Sequence, residues 1–242
     1  MLTDVHSENC AQLQRNSVQD RMDPIYSSPG DVEGHVSFPA PLMHDACLTI
    51  SYSGVAPNPQ PNWSDYSIPT VRLPDGEVVM DSAKIAPRLE SLKPTPSLHL
   101  DLDYHKEVSA ALGAAFAGFF PIFGAQLVGN VVAEEDVDWF NKDRAARFGM
   151  TLQELEKQKG GEPAWESVRS GLESLSEVLR KHKRDQGPFL LGSEPSYGDI
   201  IVVAALHMIK TISEEGYERA VSYGKELREV YEAATPWLQK LN

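Results

Sequence analysis

The sequence predicts an α+β chain in two parts, a small α/β unit followed by an all-helical domain. Three observations carry this reading. Residues 68–80 run as strand, Asp-Gly turn and strand, and a helix start follows at Asp81-Ser82. From Leu98 onward only helical periodicity is present. Between the two, Lys93-Pro94-Thr95-Pro96 has the composition of an interdomain linker. The expected organisation is an irregular segment over 1–45, the α/β unit over 46–93 and the helical domain over 98–242.

Bulk properties narrow the function. The 242 residues are 41% hydrophobic and 24% charged, with 17 glycines and 17 prolines, which excludes a mostly disordered or collagen-like chain. A chain of this length buries about 70% of the surface that it exposes when unfolded, so it needs no disulfide or metal staple. No apolar run reaches the ~20 residues of a membrane span. Residues 1–20 lack the basic start and apolar core of a secretory signal. Acidic side chains outnumber basic ones 35 to 22, a net charge of −13, so nucleic acid and anionic membranes are unfavourable partners. The densest basic run, Arg180-Lys181-His182-Lys183-Arg184, reads as the dipole-favoured end of a helix. Two cysteines, Cys10 and Cys47, without Cys-x-x-Cys spacing suit a reducing, cytoplasmic compartment. The seven scattered histidines have no metal-ligand spacing, and no metal is expected.

The elements follow in order. Pro24, Pro29, Pro39 and Pro41 break the first segment, whose apolar residues keep no period, and it is expected to be the least ordered part. Cys47 to Tyr52 alternates as an edge strand does. Ile68 to Leu73 and Val78 to Met80 form the hairpin, and the helix after it places Ile85, Leu89 and Leu92 on one face, shortened or bent at Pro87. Asp101 to Asn130 reads as one Ala-rich, aromatic helix kinked at Pro121. Asp136 to Phe148 is amphipathic and stops at Gly149; Thr151-Leu152-Gln153-Glu154 has capping-box spacing. Trp165, Val168, Leu172, Leu175, Leu179 and His182 form a core-facing stripe. Ser196 and Asp199 are spaced for a reciprocal cap on a helix from Ile200 to Ile209 that is apolar on nearly every face, hence buried all round. A last helix is expected from about Gly224 to Ala233.

Two separated segments in this series resemble the glutathione transferase superfamily. One is Tyr66-Ser67-Ile68-Pro69-Thr70-Val71 with Asp75-Gly76 and Val79-Met80-Asp81-Ser82-Ala83-Lys84-Ile85-Ala86, similar to the second half of a thioredoxin-like domain. The other is Phe189-Leu190-Leu191-Gly192 with Ser196-Tyr197-Gly198-Asp199-Ile200, similar to the start of the central capped helix of the all-helical domain. Asp138 to Gly149 and Leu152 to Leu155 resemble the fungal, etherase-related branch with a UstS-like C-terminal domain, many of whose members sit in secondary-metabolite gene clusters. The resemblance covers about Gly54 to Asn242. It implies a partial thioredoxin-like unit before an all-α C-terminal domain, glutathione as co-substrate, and a small hydrophobic or aromatic metabolite as partner, and it allows a homodimer.

The same resemblance implies a glutathione-binding set of Ile68, Pro69, Asp81 and Ser82. The Ile68–Pro69 bond would be cis, turning backbone groups toward the cysteinyl part of glutathione, although only ~5% of X–Pro bonds are cis in general. Asp81-Ser82 would offer the N–H groups and hydroxyl of a helix start to the γ-glutamyl carboxylate. The alternative for that pair is a plain N-cap. Catalysis in such proteins is activation of the glutathione thiol by a nearby donor. The β-α unit that carries the donor in the family is not present as a pattern in Met1 to Ser53, and Tyr26-Ser27-Ser28-Pro29 supplies hydroxyls with no strand before them. The catalytic residue is therefore left unassigned. Tyr104, Phe116, Phe119, Phe120 and Phe123 are read either as the wall of a hydrophobic substrate pocket or as core, and His207 as a hydrogen-bonded core histidine. The expected function is a glutathione-transferase-like protein working by thiol addition or thiol-dependent ether or ring cleavage. The alternatives are a non-catalytic binding protein of the same fold and a chain with a defective thioredoxin-like domain.

Overall fold

A computed structural model describes residues 69–73 and 75–238, together with the strands Gly34–His35 and Thr49–Ile50. Two compact units are present: Met1–Ser97 with Trp237–Asn242, and Leu98–Pro236. Most of residues 1–68, including the hydroxyl-bearing Tyr26-Ser27-Ser28 and the Ile68–Pro69 peptide, lies outside the described residues.

In the first unit, β1 (Gly34–His35) pairs antiparallel with β2 (Thr49–Ile50), and β3 (Thr70–Arg72) with β4 (Val78–Met80). The strand β1 falls within the stretch read from sequence as irregular. Thr70 faces Met80 and Arg72 faces Val78 across the β3–β4 ladder. The hairpin closes through Leu73 N–H to Glu77 O (2.7 Å), with Gly76 at φ 88°. That is a longer loop than a two-residue turn, and its left-handed residue is a glycine because a Cβ there would meet its own backbone. The helix α1 (Ser82–Leu92) runs five residues beyond Pro87. It packs Ile85 against Val71, Leu73 and Val79, with Leu89 alongside. Leu92, expected on the same face, is 54% exposed instead, and Ala86 takes the buried place. Arg88 reaches Asp75 (3.4 Å) and Glu77, tying α1 to the hairpin turn.

The second unit is helical throughout. The single long helix expected over 101–130 is two: α2 (Tyr104–Phe116) and α3 (Phe119–Asn130), bent by 72°. The break lies at Ala117-Gly118, not at Pro121. Pro121 sits in the first turn of α3, where its missing N–H would have had no helical partner. Gly118 is required at the bend because a Cβ there would lie 2.5 Å from the Ala164 carbonyl. The next helices are α4 (Val137–Phe148), α5 (Leu152–Lys159) and α6 (Glu162–Lys181). Gly149 ends α4 at φ 70°, and the Thr151/Glu154 capping box opens α5, both as expected. The stripe of α6 buries Val168, Leu172, Leu175 and Leu179, while Trp165 is half-buried beneath the Arg219 guanidinium, 4.4 Å from its ring.

The most extensive helix contact joins α2 and α6. Within it lies Gly171, where a Cβ would stand 2.3 Å from the Ala115 backbone nitrogen. Then come α7 (Tyr197–Ile212), α8 (Glu214–Ser222) and α9 (Lys225–Leu238). The sequence reading missed α8, a short helix capped by the Ser213 hydroxyl accepting from Gly216 N–H at 3.0 Å. It also ended the last helix too early; α9 passes through Pro236. The helix α7 is not buried all round as expected: Ala204 is exposed, and Ile201, Ala205 and Met208 are half-buried.

Candidate functional site

The hairpin and α1 bring together three of the four residues expected to bind glutathione; Ile68, the fourth, lies outside the described residues. The Asp81 N–H donates to the Pro69 carbonyl at 3.1 Å, so the end of β4 closes over the start of β3. Asp81 caps α1, its carboxylate accepting from Ala83 N–H at 3.0 Å. Its backbone stands at φ 85°, ψ 121°, a region that non-glycine residues rarely occupy and that costs about 1–3 kcal/mol. Ser82 is the first helical residue and is exposed. A carboxylate at this end would meet the N–H groups of the first turn, the positive end of the helix dipole and the Ser82 hydroxyl.

In the helical unit, the five aromatic residues separate into two groups. Tyr104 is core: it is 1% exposed, and its phenol donates to the His99 carbonyl at 3.1 Å. Burial pushes its pKa up to about 12, so it stays a protonated donor across the physiological range. Phe120 also turns away, packed on Phe148 (5.1 Å between centroids) and under the Arg144 guanidinium. The other three, Phe116, Phe119 and Phe123, line a cavity of about 20 Å³. Val168 and Leu172 of α6 and Leu206 of α7 close it from the other side, and every lining side chain is apolar. Such a space is about the size of one water molecule, but offers it no hydrogen bond.

Several polar features belong to the scaffold. His207 is hydrogen-bonded through Nδ1 to the Tyr231 hydroxyl at 2.9 Å, as read from sequence. The basic run at the end of α6 is spent on ion pairs: Lys181 with Glu107 (2.9 Å) and Lys183 with Glu229 (3.4 Å). Asp199 is fully buried. Its carboxylate accepts from Ser196 N–H (2.8 Å), the Ser196 hydroxyl (2.7 Å) and Leu190 N–H (2.7 Å). The bond to Leu190 was not legible in the spacing, because the loop over 187–195 has to fold back first. Among the described residues, no group of three or more His, Cys, Asp or Glu is placed to hold a metal ion. No single helix there is long and apolar enough to cross a membrane.

A thioredoxin-like hairpin-helix unit followed by an all-helical unit with a buried, capped central helix defines a glutathione-transferase-type protein. The chain belongs to the glutathione S-transferase family: the model of the family's C-terminal domain matches residues 108–237, more than half of its length. It is 26% identical over 192 residues to the glutathione S-transferase-like protein ustS of Aspergillus flavus, covering 72% of this chain and 68% of that one. Among solved structures, it resembles glutathione transferase GSTFuA3 from Phanerochaete chrysosporium, with a TM-score of 0.64, 21% identity and 75% of each chain covered. It also resembles a Ceriporiopsis subvermispora glutathione S-transferase, CsGST83044, in complex with glutathione; there the TM-score is 0.60 at 20% identity, over 71% of this chain and 72% of that one. At these identities the likeness to the solved structures is one of fold.

Proposed function

We propose that this protein binds glutathione at Ile68-Pro69 and Asp81-Ser82 and acts on a hydrophobic or aromatic metabolite, by thiol addition or thiol-dependent ether or ring cleavage. The observation that carries the reading is the 3.1 Å bond from Asp81 N–H to the Pro69 carbonyl. It joins the two segments that the family resemblance implies for the peptide backbone and the γ-glutamyl carboxylate. The strained Asp81 backbone supports it, since strain of this kind tends to be kept where a ligand uses it. Two Ceriporiopsis subvermispora transferases of similar fold are complexes with glutathione, which fits the same ligand here. The aromatic, wholly apolar cavity of the helical unit supports a hydrophobic acceptor. A place in fungal secondary metabolism, in the cytoplasm, is the setting suggested by the UstS-like motif and the sparse cysteines.

Calorimetric titration of the purified chain with glutathione tests the binding. Ser82→Ala should weaken it about fivefold, corresponding to roughly 1 kcal/mol for one lost charge-assisted hydrogen bond. No binding heat at millimolar glutathione, or an unchanged affinity in the variant, would overturn the assignment. Turnover is a separate expectation. With no activating hydroxyl assigned, conjugation of a standard aromatic electrophile should run well below the usual ~1–10³ per second. A rate within that range would place a thiol-activating donor in the residues before Gly54.

A further inference from the structure

We propose that Phe116 is the gate of the apolar cavity, and that it sets the size of the molecule the helical unit accepts. The inference rests on reading that cavity as the acceptor site. At about 20 Å³ the space is far smaller than an aromatic ring, so an acceptor enters only if part of the lining gives way. Most of the lining is locked. Phe119 and Phe123 are 6% and 1% exposed and pack on each other with tilted rings 5.3 Å apart, and Phe123 also packs edge-on against Trp165 at 5.6 Å. Leu172 and Leu206 belong to helix faces that are themselves core.

Phe116 differs. It lines the cavity yet is 42% exposed, at the last residue of α2, immediately before the Ala117-Gly118 break. Its ring stands 5.3 Å from that of Phe119, the one ring contact it makes among the described residues, and part of the side chain meets solvent. Rotation about its side-chain torsions therefore opens the cavity outward without separating any pair of helices. No lining group offers a hydrogen bond, so the molecule admitted is recognised by apolar area alone. An uncharged aryl or alkyl body would enter, and a group carrying a charge would stay at the mouth.

The test uses N-phenyl-1-naphthylamine, an uncharged fluorophore that brightens in apolar surroundings, with stopped-flow mixing on the full chain and no glutathione present. Phe116→Ala should raise the association rate several-fold to about tenfold, the scale of an off-rotamer penalty removed. Phe116→Trp should slow it by a similar factor. Urea midpoints of both variants should stay near that of the wild type, because the side chain is partly exposed. A wild type that binds nothing while Phe116→Ala binds would also support the gate. Equal rates in all three proteins, no binding by any of them, or loss of the signal in Phe116→Ala would overturn it; the last would mean that the probe merely stacks on the exposed ring. Because glutathione is left out, failure of the gate and failure of the proposed chemistry register in different experiments.

Discussion

Gly171→Ala is expected to cost the helical unit about 3 kcal/mol or more, the upper part of the range for overpacking a close helix contact. The added methyl would lie 2.3 Å from the Ala115 nitrogen, 2.7 Å from its Cα and 2.8 Å from the Ala111 carbonyl. All three are backbone atoms within α2, so no side chain can swing aside; α2 and α6 must move apart along their whole contact. Gly113→Ala supplies a control of opposite sign. It lies in the middle of the same α2, with nothing within 4 Å of the added Cβ. There the substitution should stabilise by about 0.5–1 kcal/mol, through reduced backbone freedom in the unfolded chain. Urea unfolding of the two variants checks both signs. A Gly171→Ala midpoint equal to that of the wild type would mean that the helices do not approach this closely.

Asp199→Ala should cost a comparable amount, about 3 kcal/mol, more than the ~0.5–2 kcal/mol of an ordinary cap. Three buried donors lose their acceptor at once, and one of them, Leu190 N–H, belongs to the preceding loop rather than to α7. Each stranded donor carries a desolvation penalty of about 1–3 kcal/mol, partly relieved by relaxation. The carboxyl also links stability to pH. Burial is the largest influence on it and raises its pKa, against the lowering effect of its hydrogen bonds. The folded chain then keeps this proton at a pH where the unfolded chain, with a carboxyl near 3.9, has released it. The corresponding stability is present below that value and is lost as pH rises through the folded one. Relative to Asp199→Asn, which does not titrate, the wild type should lose stability on raising the pH from about 4. Denaturant midpoints of both proteins across that window decide; a flat difference would show that burial does not dominate. Glutathione affinity should change in neither variant, since the carboxylate of Asp199 is engaged by Ser196 and Leu190 and holds the scaffold of the helical unit.

Patterns confined to neighbouring residues were legible without coordinates. The β3–β4 hairpin, the cap at Asp81, the Thr151/Glu154 box, the Gly149 stop and the stripe of α6 depend on spacing of two to four residues, and each stands where its spacing puts it. Within the proposed site, spacing made Asp81-Ser82 legible as a helix start, whereas its role toward glutathione, like that of Pro69, came only from the family resemblance, and the Asp81–Pro69 hydrogen bond was legible in neither.

What required tertiary structure is whatever depends on a neighbour far along the chain. The break between α2 and α3 was assigned to Pro121 because proline is the local helix breaker, whereas Gly118 bends the chain by fitting against Ala164 and Val168, some forty to fifty positions away. The partly open face of α7 was hidden in the same way: an apolar helix reads as wholly buried until its neighbours define which side they leave uncovered. The aromatic series likewise looked like one wall, and only packing separated Phe116, Phe119 and Phe123, which line a cavity, from Tyr104 and Phe120, which do not. By itself the sequence determined the order and kind of most elements, through backbone preferences and helical period, but not β1, α8 or the division between α2 and α3. The tertiary structure alone decided which side chains line a space, because a cavity is set by the close packing of residues from four helices.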